Sequence, residues 1–380
     1  MKNVLLVASE CVPFIKTGGL ADVVGELPKY IDKTKYDVRV IRPNYKAIPG
    51  NLKEQMKYHT HFYMDLGWRR QYVGILDAEI DGVKFYLVDN EYYFNGEKPY
   101  GNIYEDIEKF AFFNRAVLSA LPLLDWHPDI IHCNEWQTGL LPVYLKDSFN
   151  AGDFYRGIKS IMTIHNLKFQ GIWNKKTVMD VAGLDPYYFT SDKLEAYGDA
   201  NYLKGGIVYA DYVTTVSESY AKEIQMPFYG EGLDGLMRAR SNCLCGIVNG
   251  IDYNEYNPET DKFIKYHFNS SNFRTNKKKN KVLLQEELGL EVNDKKFMVG
   301  IVSRLTDQKG LDLVDCVIEQ ICAENLQLVI LGTGEQRYEN LFRHYEWKYK
   351  DRVSASIYYN NERSHKIYAS CDAFLMPSLF

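Results

Sequence analysis

Apolar residues fall in short continuous runs along this chain, at residues 4–8, 38–41, 85–88, 130–132, 161–165, 212–217 and 245–248. Each run is closed by turn residues and followed by apolar positions at helical spacing. Continuous runs of this length mark strands buried on both faces, and their alternation with helices predicts an α/β fold with a parallel sheet. Phe110, Phe113, Val117, Leu118 and Leu121 keep the 3.6-residue period of an amphipathic helix until Pro122 disturbs it, so that helix is expected in the core. A second series starts at 297–302 and continues at 326–331 and 373–376. The sheet signature begins again, which predicts a second domain.

Residues 252–281, rich in Asn, Lys, Tyr and Pro, lie between the two series and are expected to connect the domains. The boundary is placed near 246–250, giving domains 1–245 and 246–380, with a hinge expected by position near 246–252. The run Lys277-Lys278-Lys279-Asn280-Lys281 opens a helix reaching Leu288 and is expected to be a solvated helix face rather than an anion patch. No internal repeat of solenoid length occurs.

Composition narrows the classes. The chain has 380 residues, enough for two or three domains, with 46% hydrophobic and 25% charged residues, as in soluble globular proteins. Forty-five Lys plus Arg against fifty Asp plus Glu give a net charge of −5. No global positive field exists to hold nucleic acid or an anionic membrane, so any anion site must be local. The N-terminal apolar run is interrupted by Glu10 and is too short for a secretory segment; no stretch approaches the roughly 18 apolar residues that span a bilayer. Seven cysteines, from Cys11 to Cys371 without a C-x-x-C pair, argue against a disulfide framework or zinc ribbon and for a cytoplasmic location. Cys243 and Cys245 are expected to be strand residues, not metal ligands.

Several strand ends carry chemistry. The first run leads into Ser9-Glu10-Cys11-Val12-Pro13-Phe14-Ile15-Lys16-Thr17-Gly18-Gly19. A Gly-Gly pair opening a helix lets bare N–H groups and the helix dipole meet a phosphate, with Lys16 as a point charge. The segment reads equally as a diphosphate site or as a plain strand-to-helix turn. It is neither a Walker A loop nor a G-x-G-x-x-G fingerprint. In the second series Arg304 and Lys309 directly follow a buried strand, where open α/β sheets bind ligands, and paired cations suit a leaving diphosphate. Leu331-Gly332-Thr333-Gly334-Glu335 places another glycine turn after the next strand, able to accept an anion or nucleoside. Together the three segments suggest one negatively charged ligand gripped between two domains. His132-Cys133-Asn134-Glu135-Trp136-Gln137-Thr138-Gly139 and Thr163-Ile164-His165-Asn166-Leu167 each follow a strand. They set carboxylate, imidazole or amide beside an aromatic plane, a usual way to hold a sugar. A lone His at a strand end is more often a structural hydrogen-bonder, and most of the thirty tyrosines are packing residues.

Taken in order, these motifs resemble those of bacterial glycogen synthases and plant starch synthases. The residues that carry the resemblance are Lys16-Thr17-Gly18-Gly19-Leu20-Ala21-Asp22-Val23, Thr163-Ile164-His165-Asn166, Lys204-Gly205-Gly206-Ile207, Tyr229-Gly230-Glu231-Gly232-Leu233-Asp234-Gly235, Asn249-Gly250-Ile251-Asp252, Ser303-Arg304-Leu305 and Gln308-Lys309-Gly310. They span essentially the whole chain. The resemblance implies two Rossmann-like, doubly wound domains facing across a cleft, the GT-B arrangement. It implies transfer of glucose from ADP-glucose to the non-reducing 4-hydroxyl of an α-1,4-glucan, such as a glycogen primer, with retention and with neither cofactor nor metal. Carried over motif by motif, Lys16, Gly18 and Gly19 meet the diphosphate, and Arg304 and Lys309 neutralise charge on the departing ADP. His165 sits beside the reacting sugar; Glu135, Trp136 and Asn249 position donor glucose or acceptor; Tyr100 adds a stacking face. Asp22, Gly332 and Gly334 complete the expected substrate-binding residues.

Two departures from the family pattern stand out. Asn134-Glu135-Trp136 stands where many relatives have an Asp preceded by His, keeping the acid and the aromatic. Met376-Pro377-Ser378-Leu379-Phe380 matches up to the point where Glu-Pro-Cys-Gly follows in the family. The expectation is therefore a truncated chain with an incomplete second domain, lacking the family's donor-sugar glutamate, and unstable, inactive or both. Alternatives are a non-catalytic remnant that binds glucan or nucleotide, and a related retaining transferase using UDP-glucose.

Overall fold

The computed structural model describes residues 1–379, which form two compact units, residues 1–250 and a second beginning at Ile251. The first unit contains strands β1 (Lys2–Val7), β2 (Tyr36–Pro43), β3 (Lys57–Leu66), β4 (Arg69–Ile80), β5 (Val83–Asp89), β6 (Ile130–Asn134), β7 (Lys159–Ile164), β8 (Ile172–Trp173), β9 (Glu195–Ala196), β10 (Asp199–Asn201), β11 (Tyr212–Thr215) and β12 (Leu244–Gly246). The second contains β13 (Phe297–Val302), β14 (Leu326–Leu331), β15 (Val353–Ser356) and β16 (Ala373–Phe374).

Nine strands of the first unit form one sheet in the order β12-β11-β7-β6-β1-β2-β5-β4-β3. It is parallel from β12 to β5, with β4 and β3 added antiparallel. A three-stranded sheet, β8-β10-β9, lies apart from it. The chain builds outward from β1 through β2 and then returns to add β6 on the other side, so β1 and β6 flank a switch point. Loops that leave adjacent strands in opposite directions open a crevice there. The second unit repeats the device: its parallel sheet runs β15-β14-β13-β16, with the switch between β13 and β16.

Packing follows the apolar pattern. Leu5, Leu6 and Val7 of β1 are fully buried. The helix Ile103–Ala120 buries Phe110, Phe112, Phe113, Val117 and Leu118, is capped by Asn102, whose side chain accepts from Glu105 N, and ends before Pro122. Each ring or branched chain so withdrawn from water contributes roughly 1.5–3 kcal/mol. In the second unit Leu328 and Ile330 point into one apolar layer and Val329 and Leu331 into the other, as the two-residue period of a strand covered on both faces requires.

The structure adds the β3–β4 hairpin, which no apolar run predicts, and corrects several expectations. Cys245 is in β12, but Cys243 ends a short 3-10 turn, Ser241–Cys243. The strand expected at 373–376 stops at Phe374. The helix with the lysine run starts earlier, at Phe273, and Lys281 is buried rather than solvated: its Nζ lies 2.5 Å from Asp372 Oδ2 and donates to Lys296 O at 3.0 Å. A long stem can sink into the core when its ammonium finds such partners. All seven cysteines are free. Among the described residues no helix is long and apolar enough to cross a membrane, and no group of three or more His, Cys, Asp or Glu is placed to hold a metal ion.

Candidate active site

Beyond β1 the chain stays buried through Ala8, Ser9 and Glu10. Ser9 Oγ lies 2.7 Å from Tyr100 Oη, and Glu10 Oε2 accepts the Thr17 N–H at 2.5 Å. A tight turn between Cys11 and Ile15, bonded both ways at 3.2 and 3.1 Å, carries the chain between those anchors. Burial raises the pKa of Glu10, while hydrogen bonds from Thr17 and Tyr100 and the charge of Arg42 oppose that rise. Outside this buried clasp, Lys16 is exposed and pairs with Asp22 at 2.8 Å, at the first turn of the helix Gly19–Tyr30. That helix has no side-chain cap at Gly18, and a Cβ at Gly18 or Gly19 would meet no atom within 4 Å. Packing within the chain therefore does not demand glycine here. The open space instead leaves the first N–H groups of the helix accessible to an anion.

At the end of β6, Glu135 has φ 63° and ψ 173°, a backbone state that costs a non-glycine residue ~1–3 kcal/mol. Hydrogen bonds hold it: Glu135 N donates to Thr163 O at 3.0 Å, Glu135 Oε1 accepts His165 N at 2.5 Å and Asn166 N at 2.8 Å, and Glu135 O accepts Thr138 N and Oγ1, each at 3.0 Å. Burial pushes its carboxyl up to about 8, against those two N–H groups. Asn134 donates its amide nitrogen to Val7 O and His132 O, so its oxygen faces His165 Nε2 at 3.0 Å. An amide oxygen can only accept. His165 therefore carries its proton on Nε2 and leaves Nδ1 as an acceptor. Burial, with a smaller push from His132, lowers its pKa to about 4, so the imidazole is neutral at pH 7.

Other expected groups have different surroundings. The Trp136 indole is buried, edge-on to Phe110 at 5.3 Å and tilted on Tyr202 at 6.2 Å, with Gly171 pressed against it. Its faces are occupied by the core, so it supports the Glu135 turn and does not present the stacking plane expected from sequence. Tyr100 is half-buried, tilted on Phe110, with its hydroxyl shared between Ser9 and Glu10; burial and Glu10 hold its pKa well above the phenolic range. Asn249 is exposed at the end of the first unit.

In the second unit the loop after β13 is clamped to the loop after β14. Leu305 N donates to Thr333 O at 2.9 Å, and Glu335 N to Leu305 O at 2.8 Å. A Cβ at Gly332 would lie 1.9 Å from Ser303 O, and one at Gly334 2.1 Å from Leu305 O. These glycines are thus required by the approach of the two loops. The clamp sets Arg304, exposed, and Lys309, half-buried, beside the β13–β16 switch point. Burial lowers the Lys309 pKa, and the charge that bears on it among the described residues is the like charge of Arg304. Nearby Asp307 is taken by Arg337 and Tyr338. Two adjacent cations without a carboxylate are a receptor for an anion.

The remaining motifs act within the fold. Lys204 donates to Ser191 O at 2.5 Å and to Glu195 O, and Gln170 ties Glu231 O to Asn201. Sequence reasoning quotes Glu10 and Asn134 within their segments without giving either a role of its own, and leaves out Arg42. A charged residue directly following a buried run was the available signal for Glu10; the other two are visible only through partners distant in sequence.

The family model described as starch synthase catalytic domain matches residues 3–239, and that described as glycosyl transferases group 1 matches 286–380. All 380 residues align at 70% identity with the glycogen synthase of Lachnoclostridium phytofermentans and at 71% with that of Lachnospira eligens, in each case over 80% of the relative. The glycogen synthase of Clostridium kluyveri is 48% identical over 378 residues, covering 79% of its length. The catalytic domain of starch synthase IV from Arabidopsis thaliana, bound to ADP and acarbose, matches with a TM-score of 0.89 at 29% identity, over 100% of this chain and 78% of that one. Ordered motifs, doubly wound sheets and near full-length identity agree, and the chain belongs to the glycogen synthase and starch synthase family of α/β glycosyltransferases.

Proposed function

We propose that this chain transfers glucose from ADP-glucose to the non-reducing 4-hydroxyl of an α-1,4-glucan primer such as glycogen, with retention at the anomeric carbon. The observation that carries the reading is the uncompensated Arg304–Lys309 pair at a switch point, in a chain 70% identical to a glycogen synthase. As the bond from the anomeric carbon to the diphosphate breaks, negative charge grows on ADP. Cations that repel one another beforehand gain more from that developing charge than from the ground state, which lowers the barrier. Lys16, with the open N–H groups at Gly18 and Gly19, is assigned to diphosphate binding. Gly332 and Gly334 hold the loop that presents Arg304.

The sugar is assigned to the ends of β6 and β7. Neutral His165 offers Nδ1 as an acceptor for a hydroxyl, not a charge. Glu135, protonated through most of the neutral range, fixes the His165 turn and supplies a hydroxyl donor. Asp22 orients Lys16, while Tyr100 and Asn249 are kept as substrate contacts. We assign 1–245 to the acceptor side and 246–380 to the nucleotide-sugar side, working in the cytoplasm, in keeping with seven free thiols. Charge balance at the diphosphate is thereby left to protein cations.

The test is ADP release from ADP-glucose by the purified chain, with glycogen as primer and a metal chelator present. Turnover supports the reading and shows that the chain as it stands is active. ADP binding without turnover would favour a binding role, no ADP binding would remove the site assignment, and better use of UDP-glucose would change the donor.

A further inference from the structure

Arg42, near the end of β2, has no accessible surface. Its Nε donates to Pro43 O at 3.1 Å, and its guanidinium lies over the rings of Phe14 and Tyr45 at 5.2 and 5.5 Å. Nη1 and Nη2 have no hydrogen-bond partner among the described residues, and neither has the Tyr45 hydroxyl. A guanidinium buried without a carboxylate in contact is costly, and an apolar chain of the same length would fill the space more cheaply.

Its position supplies the reason. Ile41 pairs with Val7 and accepts from Ala8 N at 3.3 Å, so Arg42 stands beside the start of the Ser9-Glu10 segment. Phe14, the ring it covers, belongs to the Cys11–Ile15 turn that directly follows Glu10. The groups that bear on Glu10 are Tyr100, Thr17, Cys11, Tyr45, the Glu135 carboxyl at the end of β6, and Arg42. Among these Arg42 is the cation.

We propose that Arg42 is a positioning residue of the donor site: its buried guanidinium is the counter-charge of the Glu10 carboxylate, which holds the Thr17 amide and with it the shape of the Lys16–Gly19 turn. This rests on the reading of that turn as the diphosphate site. A carboxylate accepts an N–H more strongly than a carboxylic acid does, so the clasp is tight only while Glu10 is ionised. Burial favours the protonated form and Arg42 opposes it. Without Arg42, Glu10 takes up its proton at higher pH and the turn loosens.

The first experiment is a carbon-13 NMR titration of the Glu-labelled chain, with the Glu10 carboxyl assigned by its loss in Glu10→Gln. The Glu10 midpoint is expected to rise in Arg42→Met and to stay near its wild-type value in Arg42→Lys, which keeps the charge. An unmoved midpoint in Arg42→Met overturns the proposal. If Arg42→Met does not fold, Glu10→Gln alone decides. Removing a carboxylate that balances Arg42 lowers Tm at pH values where Glu10 is ionised, whereas removing an unbalanced buried charge raises it, and a rise overturns the proposal. In the activity assay, Arg42→Met is expected to raise the KM for ADP-glucose roughly tenfold at neutral pH, the worth of one charged hydrogen bond, with kcat changed less. The defect should shrink as pH rises, and Arg42→Met added to Glu10→Gln should cost nothing further. A wild-type chain that neither turns over nor binds ADP would speak against the functional reading, while the titration still judges Arg42.

Discussion

Glu135 shows how one residue carries both strain and charge. Its carboxyl titrates near 8 because burial outweighs the two N–H groups that it accepts, so the native state holds the proton more tightly than the unfolded chain does. The stability linked to it is full below the ordinary carboxylate range and is lost as pH climbs through about 8. Glu135→Gln keeps an oxygen for His165 N and Asn166 N but cannot ionise. In urea unfolding, the variant's advantage over the wild type should grow from near zero at pH 5 to on the order of 3–5 kcal/mol at pH 9. A difference that does not change with pH would contradict the burial argument. The glycines divide by a similar test. Gly19→Ala places a methyl where no atom lies within 4 Å, at a helix start, so stability should hold within ~1 kcal/mol while the KM for the donor rises severalfold. Gly334→Ala drives a Cβ to 2.1 Å from Leu305 O and should destabilise the second unit by ~3 kcal/mol or more. Calorimetry beside donor kinetics separates the two cases, and a destabilised Gly19→Ala with unaltered KM would reverse the assignment.

Element by element, legibility in the sequence tracks burial on both faces. β1, β13 and β14 are continuous apolar runs because helices cover the sheet on each side, and they were readable. β3 and β4 were not, because Tyr58, His61, Tyr63 and Asp65 point to solvent between buried or half-buried neighbours and break the run. Their strand character comes from the ladder they make with each other and with β5. The anion-receptor motifs were readable as glycine and cation spacings after strands. The surroundings of Trp136 were not, since Phe110, Gly171 and Tyr202 meet it only in the folded chain. Lys281 belongs to the same class: its partner Asp372 is remote in sequence, and the pair ties the helix Phe273–Leu288 to the start of β16, where Asp372 also accepts Met298 N at 2.8 Å. Lys281→Ala leaves that carboxylate without its ammonium and should cost the second unit ~3 kcal/mol, whereas exposed Lys278→Ala should stay within ~0.5 kcal/mol. Equal effects in denaturant unfolding would mean that the run is a solvated face after all.

On the scale of the molecule, the two units share no sheet, which implies two folding units joined by an irregular connection. Residues 247–254 have no regular helix or strand and expose Ile247, Val248, Ile251 and Tyr253. Just beyond them the chain is anchored again: Tyr256 stacks on buried His365 at 4.8 Å, and Asp261 Oδ2 lies 2.6 Å from His365 Nδ1. Proteases need several residues of accessible backbone outside ladders and long helices, which 248–254 offers. Tyr63 and Trp347, which are also exposed, do not, because Tyr63 lies within the β3–β4 ladder and Trp347 within the helix Gln336–Lys348. Brief chymotrypsin treatment should therefore cut at Tyr253 ahead of Tyr63 and Trp347. The nicked protein should keep its secondary structure and melt in two transitions, with Gly334→Ala lowering only one of them. A first cut at Tyr63 or Trp347, or a single transition after nicking that both Gly334→Ala and Glu135→Gln shift together, would show that the two units unfold as one.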